Sequence, residues 1–191
     1  MFGLCGWGAW GMIYLGMRDS ILIFEREFAA YRGLATRAAA QLTFGQLRTP
    51  IDHEVNSIAV MMKHIAGNLR SRWTDVLTTD GEKPWRRRDE EFIDTFESYD
   101  ALMECWGLGW AALETQLGIL TNADLATTVR IRGEPHSLLA ALVRSLAHTA
   151  YHCGQIVESA RVLTSASGGT WTVLTIPRGG SAAFNAGKGM I

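Results

Sequence analysis

The chain has 191 residues, of which 48% are hydrophobic and 19% charged, with a formal net charge of −1. This length suits one domain with a sizeable core, and the near-neutral balance gives no electrostatic reason to expect nucleic acid or an anionic membrane as partner. Three cysteines, Cys5, Cys105 and Cys153, have no spacing that suggests a disulfide framework or a zinc knuckle, which fits a reducing cytoplasm.

Residues 1–16 are apolar, uncharged and rich in glycine. They lack the basic start of a secretory signal and are short for a membrane span, so a disordered or misassigned extension is expected, with Met17 as a natural second start. A membrane-associating segment is the alternative. A first helix is predicted from Arg18 to Leu47, where Ile21, Phe24, Phe28, Tyr31, Ala35, Ala38 and Leu42 recur at three- and four-residue steps. Pro50 ends it.

A second helix should begin near Asn56 or Ser57, either of which can cap it. Its stripe is Ile58, Met61, Ile65, Leu69, Trp73 and Leu77. Asp80-Gly81 and Pro84 mark a break. The run Lys83-Pro84-Trp85-Arg86-Arg87-Arg88 reads as a solvated loop, leading into a third helix whose first turn, Asp89-Glu90-Glu91, is acidic as the helix dipole favours. That helix is expected to reach Leu120, with Gly107 and Gly109 allowing close packing or a slight bend. The stretch from Thr121 to Glu134 carries a short alternation, Val129-Arg130-Ile131-Arg132, and a similar one spans Trp171 to Ile176. Both are candidate strands. A fourth helix is predicted from Pro135 to the stop at Gly168-Gly169. Pro177 to Ile191 reads as an irregular tail. The expected fold class is all-α, a four-helix bundle with one or two longer crossings, occupying residues 17–185 and followed by a tail at 186–191.

The chemistry concentrates in histidine. His148 and His152 stand four residues apart on the fourth helix and so share a face, while His64 borders the buried edge of the second. Three imidazoles on one core are costly unless each finds a hydrogen bond or a ligand role, and a shared metal satisfies all three. Such a site leaves the ion its full charge and an open position for water or a thiol, both of which become more acidic there. Ligation by histidine alone does not choose among Zn, Ni, Fe, Mn and Co; Zn or Ni is expected first, with Fe and Mn after them. The residue after His148 is Thr149, so the glutamate of a zinc-protease motif is absent. Gln155, Asn68 and Tyr151 are candidates to orient the ligands. Arg70, Arg72 and Arg144 are candidates to bind an anionic substrate group, although each also reads as a surface residue. His53 and His136 are assigned no role.

The segments Asn56 to Trp73, Thr79 to Trp85, His148 to Val157 and Leu174 to Gly179 resemble the DinB/YfiT-like superfamily, in particular an uncharacterised bacterial branch of it, over about residues 17–185. This resemblance implies a four-helix bundle of that type with a metal on one histidine of the second helix and an HxxxH pair on the last, matching His64, His148 and His152. Relatives include thiol-dependent S-transferases and an isomerase that use low-molecular-weight thiols, and homodimers are common among them. The reading is therefore a metal-dependent enzyme in which a divalent ion activates a low-molecular-weight thiol or water toward a small-molecule substrate. The alternative is a non-catalytic, metal-binding or small-molecule-binding, stress-related dimeric bundle. No catalytic residue is singled out.

Overall fold

Serine hydroxyls start three of the long helices. In the computed structural model, which describes the backbone of residues 8–188 and the side chains of residues 18–188, Ser57, Ser98 and Ser137 each accept a bond from the backbone N–H three residues on. The described residues are mostly helical, with one small two-stranded sheet. In chain order the elements are α1 (Gly8–Ala39), α2 (Phe44–Arg48), α3 (Ile58–Trp73), α4 (Tyr99–Ile119), β1 (Thr128–Ile131), β2 (Glu134–Ser137), α5 (Leu138–Ala166) and α6 (Ser181–Gly187). Short 3₁₀ turns lie at Arg88–Phe92 and Asn122–Ala126.

The expected extension falls partly on residues 1–7, which lie outside the described residues, while residues 8–16 are helical and continuous with α1. None of the described helices is long and apolar enough to cross a membrane.

The long helices α1, α3, α4 and α5 enclose one core, with α3 against α4 and α1 against α5. Trp73, Trp106 and Trp110 are its largest buried side chains. Burial of Trp73 and Trp106 costs no hydrogen bond, because their indole N–H groups donate to Ser145 (3.1 Å) and Thr36 (3.0 Å) across helix pairs. Helices α3 and α4 approach closely at Gly109, where a Cβ would run into the backbone of Ala66.

Several element boundaries differ from the sequence expectation. The first helix does not run to Leu47: it stops at Ala39, and Thr43 with Gln46 forms a capping box that starts α2. The second ends at Trp73 and leaves Leu77 outside. The third does not open at Asp89. Lys63 on α3 donates to the carbonyls of Glu90 (2.9 Å) and Ile93 (2.8 Å) and to Thr95 Oγ1 (2.9 Å), holding that segment against α3. Asp94 then accepts from Phe96 N–H (3.1 Å) and Ser98 caps α4, so local side-chain bonds replace the helix. Pro135 lies in β2 rather than in the last helix, and faces Arg130 across an antiparallel pair. Trp171 to Ile176 is not a strand: the backbone of Thr172 exchanges two bonds with the Gln41 amide (2.8 and 3.1 Å). The tail contains α6, a short Ala-rich helix.

The hairpin positions the loop that serves the site. Its two-residue turn places Arg132 (φ 56°) and Gly133 (φ 78°) in the left-handed region, the geometry that matches strand twist. Asp80 offsets the strain at Arg132, its carboxylate accepting the N–H groups of Arg132 (2.8 Å) and Gly133 (2.7 Å). Backbone bonds from Glu82 and from that turn hold the Asp80 carboxyl below its ordinary range. Gly81 N–H also donates to Arg130 C=O at 2.8 Å, so the loop leading to Arg86 is tied to the hairpin.

Candidate metal centre

Helices α3 and α5 run antiparallel, with Trp73 against Ser145 at one end and His64 against His148 further along. The spacing of four on α5 stacks His148 and His152, and their ring centroids are 4.6 Å apart. The His64 ring meets both edge-on, at 5.2 and 5.0 Å. One ligand nitrogen from each residue lies within 4.8 Å of the other two, and the Nε2 atoms of His64 and His148 are 3.2 Å apart. Two nitrogens on a tetrahedral zinc at ordinary bond lengths stand about 3.4 Å apart. The three imidazoles can therefore hold a divalent ion with little movement.

Ring orientation is set by partners on the far nitrogens. His64 Nδ1 donates to Glu91 Oε2 at 2.8 Å. In the neutral ring this leaves the Nε2 lone pair facing the cluster, the carboxylate–histidine arrangement common at metal sites. The turn Arg88–Phe92 supplies both Glu91 and Phe92, whose ring lies 4.8 Å from that of His64. Gly67, one turn after His64, makes room for this contact, since a Cβ there would fall into the Glu91 carboxylate. Arg86 closes the set: Nε and Nη2 bind Glu91 at 2.8 and 2.9 Å, and Nη1 reaches Glu82 at 3.3 Å. On α5, His152 Nδ1 bonds Gln155 Oε1 at 2.7 Å, and the Gln155 amide donates to Tyr151 Oη at 3.1 Å. His148 Nδ1 is buried without a partner.

The electrostatics favour neutral His148 and His152 rings and an ionised Glu91 carboxylate. Burial, reinforced by His152 and His64, pushes His148 down to about 3. Burial also lowers His152, against the opposing bond to Gln155. For Glu91, burial acts upward, but the bonds from His64 and Arg86 outweigh it and hold the group below its usual value. Burial would lower Arg86, and its bonds to Glu91 more than reverse this. Neutral imidazole is the metal-binding form.

The sequence-predicted histidines thus come together, and Gln155 and Tyr151 stand behind them. Asn68 lines an adjoining cleft of about 160 Å³ with His64 and His148. Arg70 does not join them, because it is exposed and stacks on Trp85 at 5.0 Å. His53 is exposed in a loop and His136 sits in β2. Cys153 is a core residue whose thiol burial pushes up to about 12. Sequence reasoning missed Glu91 and Arg86. The basic run is not wholly a solvated loop: the Arg86 side chain is only 3% exposed, and Lys83 and Glu91 are also buried. The one available signal was a break-rich loop carrying an arginine five residues before a glutamate, a weak pattern.

A family described as "Protein of unknown function (DUF1572)" matches residues 18–180. The chain belongs to this family. No curated protein and no solved structure matches it. The span matched by the family contains all three histidines together with Arg86 and Glu91.

Proposed function

We propose that this protein is a metal-dependent enzyme on a four-helix bundle of the DinB/YfiT type, with His64, His148 and His152 as ligands of one divalent ion. The observation that carries the reading is the pair of Nε2 atoms 3.2 Å apart, with Glu91 behind His64. Gln155 behind His152 adds to it. Residues kept only for packing have no need of such partners aimed away from a shared centre. Bound there, an ion supplies Lewis acidity that favours the deprotonated form of a low-molecular-weight thiol or of water.

The chain's own contribution is orientation. Glu91 keeps the His64 proton on Nδ1, Arg86 keeps Glu91 ionised, and Gln155 does for His152 what Glu91 does for His64. The cleft beside His64 and His148 favours catalysis over a purely structural metal, because a structural site is closed by a fourth protein ligand.

The test is thiol addition to a chromogenic electrophile, followed with metal-loaded and chelated protein and with His64→Ala. The reading expects a thiol-dependent rate that chelation removes, metal restores and the variant lacks. If metal-loaded protein accelerates neither thiol transfer nor ester hydrolysis over the uncatalysed rate, the enzyme reading fails.

A further inference from the structure

Arg72 lies in the wall of the cleft beside His64 and His148, and its charge has no answer in the protein. The residue is 8% exposed, its Nη1 has no hydrogen-bond partner, and no described carboxylate stands within ion-pairing distance of it. Glu82, which acts on it from further away, is already bound by Arg86 and Arg132. Burial, together with the positive charges of Arg144 and Arg86, pushes Arg72 down to about 10, so it remains cationic near neutrality. A buried guanidinium left unpaired is costly, and buried charges in proteins are as a rule paired.

The helices place this arginine in register with the histidines. Along α3, Arg72 follows His64 and Asn68 on one face at spacings of four. Along α5, Arg144 precedes His148 by the same step, about 6 Å of helix rise. Because the helices are antiparallel, Arg144 stands one turn and Arg72 two turns, about 12 Å of rise, from the histidines along the same cleft. Arg144 is exposed, lines the cleft and acts on Arg72 through its charge. Arg88 and Arg132 also line the cleft but are paired with Asp89 (3.6 Å) and Glu82 (3.2 Å), and Arg86 is committed to Glu91 and Glu82, which leaves Arg72 and Arg144 as the lining arginines without a carboxylate partner among the described residues.

From this arrangement we infer that the cleft is an anion subsite: a carboxylate or phosphate group of the substrate seats on Arg72 and Arg144, with its reacting end toward His64 and His148. The placement of the reacting end rests on the metal reading above; the anion site itself does not. Planar guanidinium forks suit both oxyanions. A volume of about 160 Å³ holds such a head group and little more. The excess of positive charge also attracts anions from a distance and disfavours neutral substrates of the same shape.

The test is calorimetric titration of inorganic phosphate, and separately of malonate, into metal-loaded wild-type protein, Arg144→Gln and Arg72→Met, with metal content measured on the same samples. Loss of a charged hydrogen-bond partner predicts ~10- to 100-fold weaker anion binding in each variant. Arg72→Met should melt no lower than wild type, since it removes an unpaired buried charge. Tighter phosphate binding assigns a phosphate ester and tighter malonate binding a carboxylate. Should neither anion bind the wild type, or should all three proteins bind alike, the subsite is overturned even with metal present. If the protein takes up no metal yet binds the anion in a way that depends on both arginines, the subsite stands and the metal reading fails.

Discussion

The two sides of α3 are built by opposite rules. Toward α4, the backbones meet with no room for even a methyl group, as Gly109 against Ala66 shows. Toward α5, the same helix presents His64, Asn68 and Arg72 to a cleft, with polar groups facing one another across it. Close backbone contact fixes the helix rigidly on one side, and that rigidity allows unpaired polar groups to be held in place on the other. The site is therefore a supported gap rather than a packing defect, because Glu91, behind His64, is itself held by the buried Arg86.

The largest effect should come from removing that support. Glu91→Ala strips the buried Arg86 of its main partner, and breaking a buried ion pair by deleting one member costs about 3–5 kcal/mol. Urea unfolding of the chelated variant would measure it, and a loss under 1 kcal/mol would show the pair to be dispensable. The milder Glu91→Gln should instead weaken metal binding ~10- to 100-fold, as read by competition with a chromogenic chelator.

The opposite side gives the contrasting result. Gly109→Ala forces a methyl group into Ala66 and should cost about 1–3 kcal/mol of stability while leaving metal stoichiometry unchanged. Loss of both together would mean that the two sides are not separable. Gly67→Ala lies between these cases: its methyl group displaces Glu91 from His64, so metal affinity should fall several-fold with a smaller change in melting temperature.

The last effect is a pH dependence. In the folded protein without metal, His148 is held neutral down to about 3, against an ordinary 6.5. Below pH 6.5 the unfolded chain takes up a proton that the folded one refuses, so this contribution to stability is complete above that value and declines as pH falls toward 3. His152 acts in the same direction. The urea midpoint of chelated protein should therefore fall between pH 7 and pH 5, and His148→Asn should flatten that slope. An unchanged slope in the variant would show that His148 titrates normally.

The sequence made the apolar geometry legible, because it repeats. The stripe Ile58, Met61, Ile65, Leu69 and Trp73 defines the buried side of α3, and Ser57 marks its start. The histidine cluster was legible for the same reason, since a spacing of four on a helix fixes a common face and His64 borders a stripe that must pack inward. Glu91 was not legible. Its partner lies 27 residues away in the chain, and the turn that delivers it interrupts a pattern that otherwise reads as helix. Arg86 was hidden among arginines that do face water, such as Arg87. Both depend on tertiary pairing that no local period records. The start of the last helix was misplaced because Pro135 suits a first helical turn as well as a strand.

The central claim is that His64, His148 and His152 bind one ion. It is tested most directly by mass-spectrometric metal content of protein purified without a histidine tag, alongside His148→Ala. The account predicts about one divalent ion per chain, lost in the variant while its helical circular dichroism persists. No bound ion, with none taken up on titration with Zn, Ni, Mn or Fe, would contradict it, as would a metal content unchanged by the substitution.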